Sequence, residues 1–550
     1  MSHFIKILTL FFLITTILNG CGQQETQSQG SQSQQPKSVG YLRLPLKGIV
    51  KTLDPSLILK ISQVELVEQL FLGLTDFDPK TYEVLPELAK DWQVSHNGTV
   101  YTFRLRQDVK WTNGEPVKAQ DIVWALRRNI TPKTDSPYAH TLYIIKNAER
   151  LYQGEITDLT KLGVRAIDDY TVEFTLKQPT SYFPALASLW TYRPLPRQAI
   201  EQYGTDWIEP KHIQTNGAYR LTEWHKGKEL ILNKNSDYYE AEKVNIPEVH
   251  YTIVHENSLA LAMYEKNEVD IVGGQVYLQL PLREMSRIKS DPILRKERQI
   301  TPSFCTEWYG FNTQRAPTDN PLVRKAIAAA IDKKTLLNVI IKGEDIPATT
   351  FTPPPIFGAV EPSEEVGILF HPKQAKAWLA KAGYPDGKGF PEMILMYNTS
   401  KNHYEVAHAI KVILKHHLNI DIEIRGYDFL SYINTLYKKN KPHLFRMSWC
   451  PDYPDAHTGL YEVFHPTQGI NWIGWHNREF AKEVEQAQQI SNPEKRKKHY
   501  SRAEQILTEE EAVIIPLYFS RTQFLVKPWV KKWYPMGFGG QHIRFWTLEQ

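Results

Sequence analysis

Apolar and polar residues alternate with period two from Val100 to Leu105, within TVYTFRLRQDVKWTNGEPV, and this predicts a half-buried strand. Asn113-Gly114 follows it and predicts a hairpin turn, because both residues tolerate the positive φ that such turns need. YTVEFTLKQP and ELILNKNSDYY predict further alternating strands, and YLRLPLKGIVKTLDPS a short strand running into an extended segment. Elsewhere the period lengthens. SQVELVEQLFL has apolar positions at helical spacing, and KAQDIVWALRRNI predicts a helix starting near Ala119 to Asp121. Beyond Asn320, PLVRKAIAAAID places a proline at the first helical position, and HPKQAKAWLAKAGYP predicts a helix stopped by Gly383 and Pro385. EMILMYN and DIEIRGY predict strands flanking a helix around EVAHAIKVILKHHLN. A weakly charged strand from Leu444 to Trp449 leads into WCPDYPD, and NPEKRKKHYSRAEQILTEEEAVIIPLYFS predicts a long helix followed by a strand. Helices and strands interleaved along the whole chain predict an α/β protein of large lobes.

The first residues depart from this texture. Residues 7–18 form an apolar run broken only by threonines, too short for a permanent span of about 20 residues. It has the size of a secretory core segment and ends at Gly20, so residues 1–20 are expected to be a signal peptide. Leu18-Asn19-Gly20-Cys21 resembles the bacterial lipobox, which implies lipid on Cys21 and a membrane attachment through it. The alternative is an ordinary signal peptide with an unrelated cysteine. Residues 21–37 continue as a Gln-, Ser- and Gly-rich stretch that cannot bury enough apolar surface to offset its ordering entropy, and they predict a flexible tether. With Cys21 assigned to lipid, Cys305 and Cys450 remain, an even number in an exported chain. That suggests one disulfide closing a loop of about 145 residues, worth roughly 4–5 kcal/mol in the simple chain-entropy model. Two buried free thiols are the alternative.

With 550 residues, 12% aromatic and 23% charged, the composition is that of a globular protein of two or three domains. A net charge of +4 at this length argues against a nucleic-acid partner. Motifs for a serine elbow, a zinc protease helix, a Walker loop or a dinucleotide loop do not occur. His443, His457, His465 and His476 gather late, but their spacings fit no zinc template and they read as a His-rich surface, so neither metal nor cofactor is expected.

LAKDWQVSHNGTVYTFRLRQDVKWTNGEPVKAQDIVWALRR, TNGAYRLTEWHKGKELILNKNSDYY, MYEKNEVDIV and NPLVRKAIAAAID together resemble the periplasmic oligopeptide-binding proteins, the solute receptors of peptide ABC importers (extracellular solute-binding proteins, family 5). The resemblance runs from about Leu44 to Lys531. CTEWYGFNTQ and WCPDYPD bring it closer to the general oligopeptide receptors and imply that Cys305 bridges to Cys450.

The resemblance also implies roles. Asp452 matches the acidic partner of a ligand's α-ammonium, a group that every free peptide offers, for which a fixed carboxylate supplies a charge-assisted hydrogen bond. Without the resemblance, Asp452 or Asp455 reads as the cap of a Pro-flanked turn. Arg446 matches an arginine that meets the carboxylate end of short peptides, and a guanidinium fork suits that partner. His403 matches a histidine with a similar role at other lengths, and Tyr138 a tyrosine near the amine pocket. The backbone of Ser448, Trp449 and Cys450 is expected to pair with the ligand as a β-strand, leaving its side chains free. Three positions depart from the family pattern: Leu59 stands near an expected acid, Ser448 at a glycine, and Pro451 follows the cysteine.

The implied fold is α/β, a two-lobed periplasmic binding protein-like fold with a hinge and an extra inserted domain, three domains in all. Residues 38–71, 199–304 and 520–550 form domain I, residues 72–198 the inserted domain II, and residues 305–519 the opposing lobe. Two crossings near 305 and 519 make the hinge. The implied function is capture of oligopeptides and delivery to a membrane permease by a lipid-anchored, monomeric, extracytoplasmic protein, with no catalysis. The alternatives are a murein peptide or a nickel or haem complex on the same fold, or a secreted hydrolase on another scaffold.

Overall fold

The computed structural model describes residues 40–549; the expected signal peptide, tether and lipidated Cys21 lie outside them. Leu42–Lys47 runs parallel to Glu248–Val254, and Glu229–Lys234 and Tyr219–His225 complete a four-stranded sheet. The residues between make their own antiparallel sheet, in the order Ala89–Ser95, Val100–Leu105, Thr171–Thr175, Val164–Asp168. A segment whose flanks pair with each other while its interior forms a separate sheet is an insertion. The alternation at Val100–Leu105 is realised, with Tyr101, Phe103 and Leu105 buried.

The third large sheet joins the two halves. Arg298–Phe311 and Ile514–Val526 pair antiparallel along most of their length. Ile271–Gly273 lies on the outer edge of the second, while Leu444–Trp449, Met393–Asn398 and Ile422–Tyr427 follow the first. The register between the long strands slips between Pro302 and Thr306 and again after Glu307, and Phe304 has a φ of 57°. Pro302 has no N–H to donate, so the ladder is interrupted where the chain passes from one half to the other.

The cores divide at that line. One cluster of buried residues draws on positions 42–277 and 524–546, with Tyr453 the exception. Two others, on either face of the third sheet, draw only on residues from Trp308 to Leu517. The C-terminal Trp529, Ile543 and Trp546 return to the first cluster, so the chain's end belongs with its beginning.

Local signals end the helices as the sequence predicts. The Asn320 side chain accepts from Leu322 N ahead of the helix Pro321–Ala330. Ser400 Oγ accepts from His403 N at the start of Lys401–Leu418, which fixes His403 in the first turn. Asn113-Gly114 forms the expected hairpin turn: Trp111 N donates to Glu115 O, Lys110 bridges Pro116 in antiparallel fashion, and Val117 N donates to Val109 O. One expectation needs correction. The late histidines are not a surface group: His443, His457 and His465 are buried, and only His476 is exposed. His443 Nδ1 accepts from Ile394 N and His465 Nδ1 from Gln468 N, so the rings serve as internal acceptors for backbone N–H groups. Burial and the Arg315 charge push His443 down to about 4, keeping it neutral.

Candidate functional site

Cys305 and Cys450 form a disulfide with their Cα atoms 4.2 Å apart, and beside it lies a cavity of about 380 Å³. That volume falls in the usual range for ligand sites, roughly 300–1,000 Å³. Tyr138 and Trp190, edge to face at 4.8 Å, make one aromatic wall. Another wall is held from behind by Glu65. This buried carboxylate accepts from Tyr277 Oη at 2.6 Å, Tyr251 Oη at 2.9 Å and Gln541 N at 2.7 Å, and Tyr277 and Gln541 line the cavity. Burial raises the Glu65 pKa to about 7, although these donors pull it down. Leu59, at the place of an expected acid, is 63% exposed and faces the cavity, making that side apolar.

Asp452 opens into this cavity two residues after the disulfide. Asp452 is exposed at the cavity wall, and among the described residues its carboxylate has no ion pair and no hydrogen bond. Burial, and then the charge of Glu462, push its pKa up to about 6. Tyr138 is raised by burial and by the Asp452 charge, which places the phenol and the carboxylate at one end of the pocket. Glu462 is itself engaged, accepting from Tyr453 Oη at 2.9 Å and Thr458 Oγ1 at 3.3 Å. The pocket therefore offers negative charge without a resident cation.

Arg446 and His403 do not line this cavity. They meet farther along the sheet, with Glu307. Arg446 is ion-paired to Glu307, and its Nη1 lies 3.4 Å from Asn398 Oδ1. His403 Nδ1 is 2.9 Å from the Asn398 carbonyl oxygen, so Nδ1 carries the proton and donates, leaving Nε2 as an acceptor. Burial and the Arg446 charge lower the His403 pKa, keeping the ring neutral at pH 7. A neutral imidazole with Nε2 free becomes a donor to a carboxylate only by taking up a proton.

Ser448, Trp449 and Cys450 connect the two clusters. On one side Ser448 and Trp449 pair with Glu307 and Thr306. On the other, pairing with Met393–Asn398 ends at Phe445, so beyond that residue this edge has no strand partner among the described residues. An extended backbone laid there continues the sheet. The Trp449 ring packs against one of the two cores of this lobe.

A larger cavity of about 740 Å³ lies between Phe77–Ala185 and Pro354–Lys497. Its buried charges, Asp455 and Arg496, neutralise each other at 2.7 Å. Sequence reasoning missed Glu307, Trp190 and the Glu65-supported wall. Glu307 had a signal: two residues after Cys305 in a strand, it must share the face of the disulfide.

The family profile described as "Bacterial extracellular solute-binding proteins, family 5 Middle" matches residues 83–471. The oligopeptide-binding protein OppA of Bacillus subtilis is 30% identical over 526 residues, 94% of each chain. The structure titled "MppA Periplasmic Murein Tripeptide Binding Protein, Unliganded Open Form" superposes with a TM-score of 0.84 at 29% identity, covering 92% of this chain and 97% of that one. A second MppA structure, from Escherichia coli, covers 92% and 98% at 28% identity but scores only 0.67.

Proposed function

Because the chain belongs to the bacterial extracellular solute-binding proteins of family 5, which are binders and not enzymes, we propose that it captures short oligopeptides between its two lobes and passes them to a membrane ABC permease. The observation that carries this reading is Asp452, a carboxylate without a partner that lines the cavity beside the disulfide, at the end of an unpaired strand edge. The ligand's α-ammonium pairs with Asp452, with Tyr138 beside it. The ligand backbone lies along Ser448, Trp449 and Cys450, and Arg446 and His403 read the carboxylate end of ligands that reach them. Side chains remain unread at the backbone level, which suits a receptor for mixed peptides.

The segregation of the cores supports the separation of residues 305–519 from the rest, while the boundary between the first two domains follows their separate sheets, because one core cluster spans both. Residues 38–71, 199–304 and 520–550 make domain I, residues 72–198 the inserted domain II, and residues 305–519 the opposing lobe. The interrupted ladder around Pro302 to Thr306 is the hinge, and closure about it presents the permease with a changed surface. Lipid on Cys21 and a tether over residues 21–37 hold the monomeric protein at the outer face of a membrane.

Native mass spectrometry of the purified protein tests this. A binder releases intact peptides on denaturation. Release of fragments only, or of no peptide together with no binding of added peptides, overturns the reading. Competition between a murein tripeptide and ordinary peptides separates the general receptor from one devoted to murein.

A further inference from the structure

Arg446 and Glu307 stand on neighbouring strands, where Tyr309 lies opposite Arg446 and Ser448 opposite Glu307. The pair is therefore diagonal on one face, and the two side chains are in direct contact with only 17% and 15% of their surface exposed. At that depth a paired guanidinium is largely neutralised and costly to separate. Asp345 adds a second acid: its pKa is raised by burial and, among smaller causes, by the Glu307 charge, so the two carboxylates sense each other. Asp345 is held in place, accepting from Arg521 N at 2.8 Å. A carboxylate arriving at Arg446 thus meets a guanidinium already engaged by Glu307. We propose that Glu307 is a specificity-determining residue: it occupies Arg446 in the free protein, and a ligand carboxylate reaches that guanidinium only by displacing it.

This inference rests on the peptide reading above and deepens it. Its consequence is that peptides ending at Arg446 are disfavoured relative to longer ones that run past as neutral backbone. Glu307 thereby makes the receptor less dependent on where a peptide stops.

The test is calorimetry of peptides of two to five residues, each with a free carboxylate and with a C-terminal amide, against wild type, Glu307→Gln, and Glu307→Gln combined with Arg446→Gln. At one length, Glu307→Gln should raise the carboxylate-to-amide affinity ratio by roughly tenfold or more, the scale of one freed charge-assisted hydrogen bond. Affinity for the amide should stay within about twofold, and the double variant should lose the gain. A variant that merely loosened the fold would weaken both termini alike. If peptides bind wild type but the ratio is unchanged at every length, the Glu307 proposal fails alone. If wild type binds no peptide of any length, the peptide reading fails and this proposal falls with it.

Discussion

Cys305 and Cys450, at a sequence separation of 145, tie the long strand Arg298–Phe311 to the segment that carries Asp452. The bridge sits at the end of the paired strands, where Thr306 faces Trp449, and so prevents that edge from fraying next to the ligand pocket. Under denaturing, non-reducing conditions, thiol labelling should find neither cysteine reactive. Replacing both with serine should cost about 2–5 kcal/mol of stability, measured by chemical denaturation. Two labelled thiols in the untreated protein would contradict the bridge.

Asp452→Asn keeps the shape of the pocket and removes its charge. Peptide affinity should fall by about 2–5 kcal/mol, because the ammonium is then held without its counter-ion. N-acetylation should weaken binding to wild type and leave the variant unable to tell the two peptides apart. Calorimetry of both peptides against both proteins closes a double-mutant cycle, and a coupling near zero would mean that another group holds the amine.

The same carboxylate sets a pH dependence. The bound ammonium selects the ionised form, and the free pocket's pKa is about 6. For a C-terminally amidated peptide, affinity should be flat near pH 7 and fall below pH 6, by at most about tenfold per unit. Asp452→Asn should abolish that limb. The effect on folding has the opposite sense. A carboxyl pKa raised in the folded state favours folding at pH below about 4, and that contribution is lost as pH rises through about 6. Without ligand, Asp452→Asn should therefore match or exceed the wild-type Tm at pH 7.5 and compare less well at pH 4.5. A variant less stable than wild type at pH 7.5 would show that Asp452 has an internal partner.

His403 works in the other direction. Its ring is neutral at pH 7, so contact with a ligand carboxylate requires proton uptake. Free-acid peptides of the length that reaches it should bind with net proton uptake between pH 7 and 5, measured by calorimetry in buffers of different ionisation heat. His403→Gln should remove that uptake and leave the Asp452 limb intact.

Arg496 and Asp455 form a buried pair behind the site, where Asp455 also accepts from Tyr500 Oη at 3.1 Å and His457 N at 3.0 Å. Arg496→Met leaves the carboxylate buried and unpaired and should cost about 3–5 kcal/mol in chemical denaturation. Adding Asp455→Asn should recover part of the loss. Equal stability of the single variant and wild type would refute the pairing.

Much of the local structure follows from nearest-neighbour chemistry and is legible without a fold. Period-two alternation marks Val100–Leu105, and Pro321 behind Asn320 starts a helix. The Cys305–Cys450 bridge is suggested by an even cysteine count and implied by the family resemblance of two motifs, and Asp452 is singled out by that resemblance alone. The remainder depends on distance in space. Glu307 and Arg446 are 139 residues apart, and only the antiparallel register that sets Glu307 against Ser448 makes them partners. Trp190, Tyr277 and Gln541 become walls of one cavity because remote segments return to it, and no periodicity encodes that. The late histidines look polar in a one-dimensional list, yet their ring nitrogens satisfy backbone donors inside the fold. Sequence by itself determined which elements form, and the resemblance of its motifs singled out Asp452 as the candidate partner of a ligand amine. Tertiary structure alone decided which charges stay unpaired, because pairing and desolvation depend on neighbours that the chain brings together only when it folds.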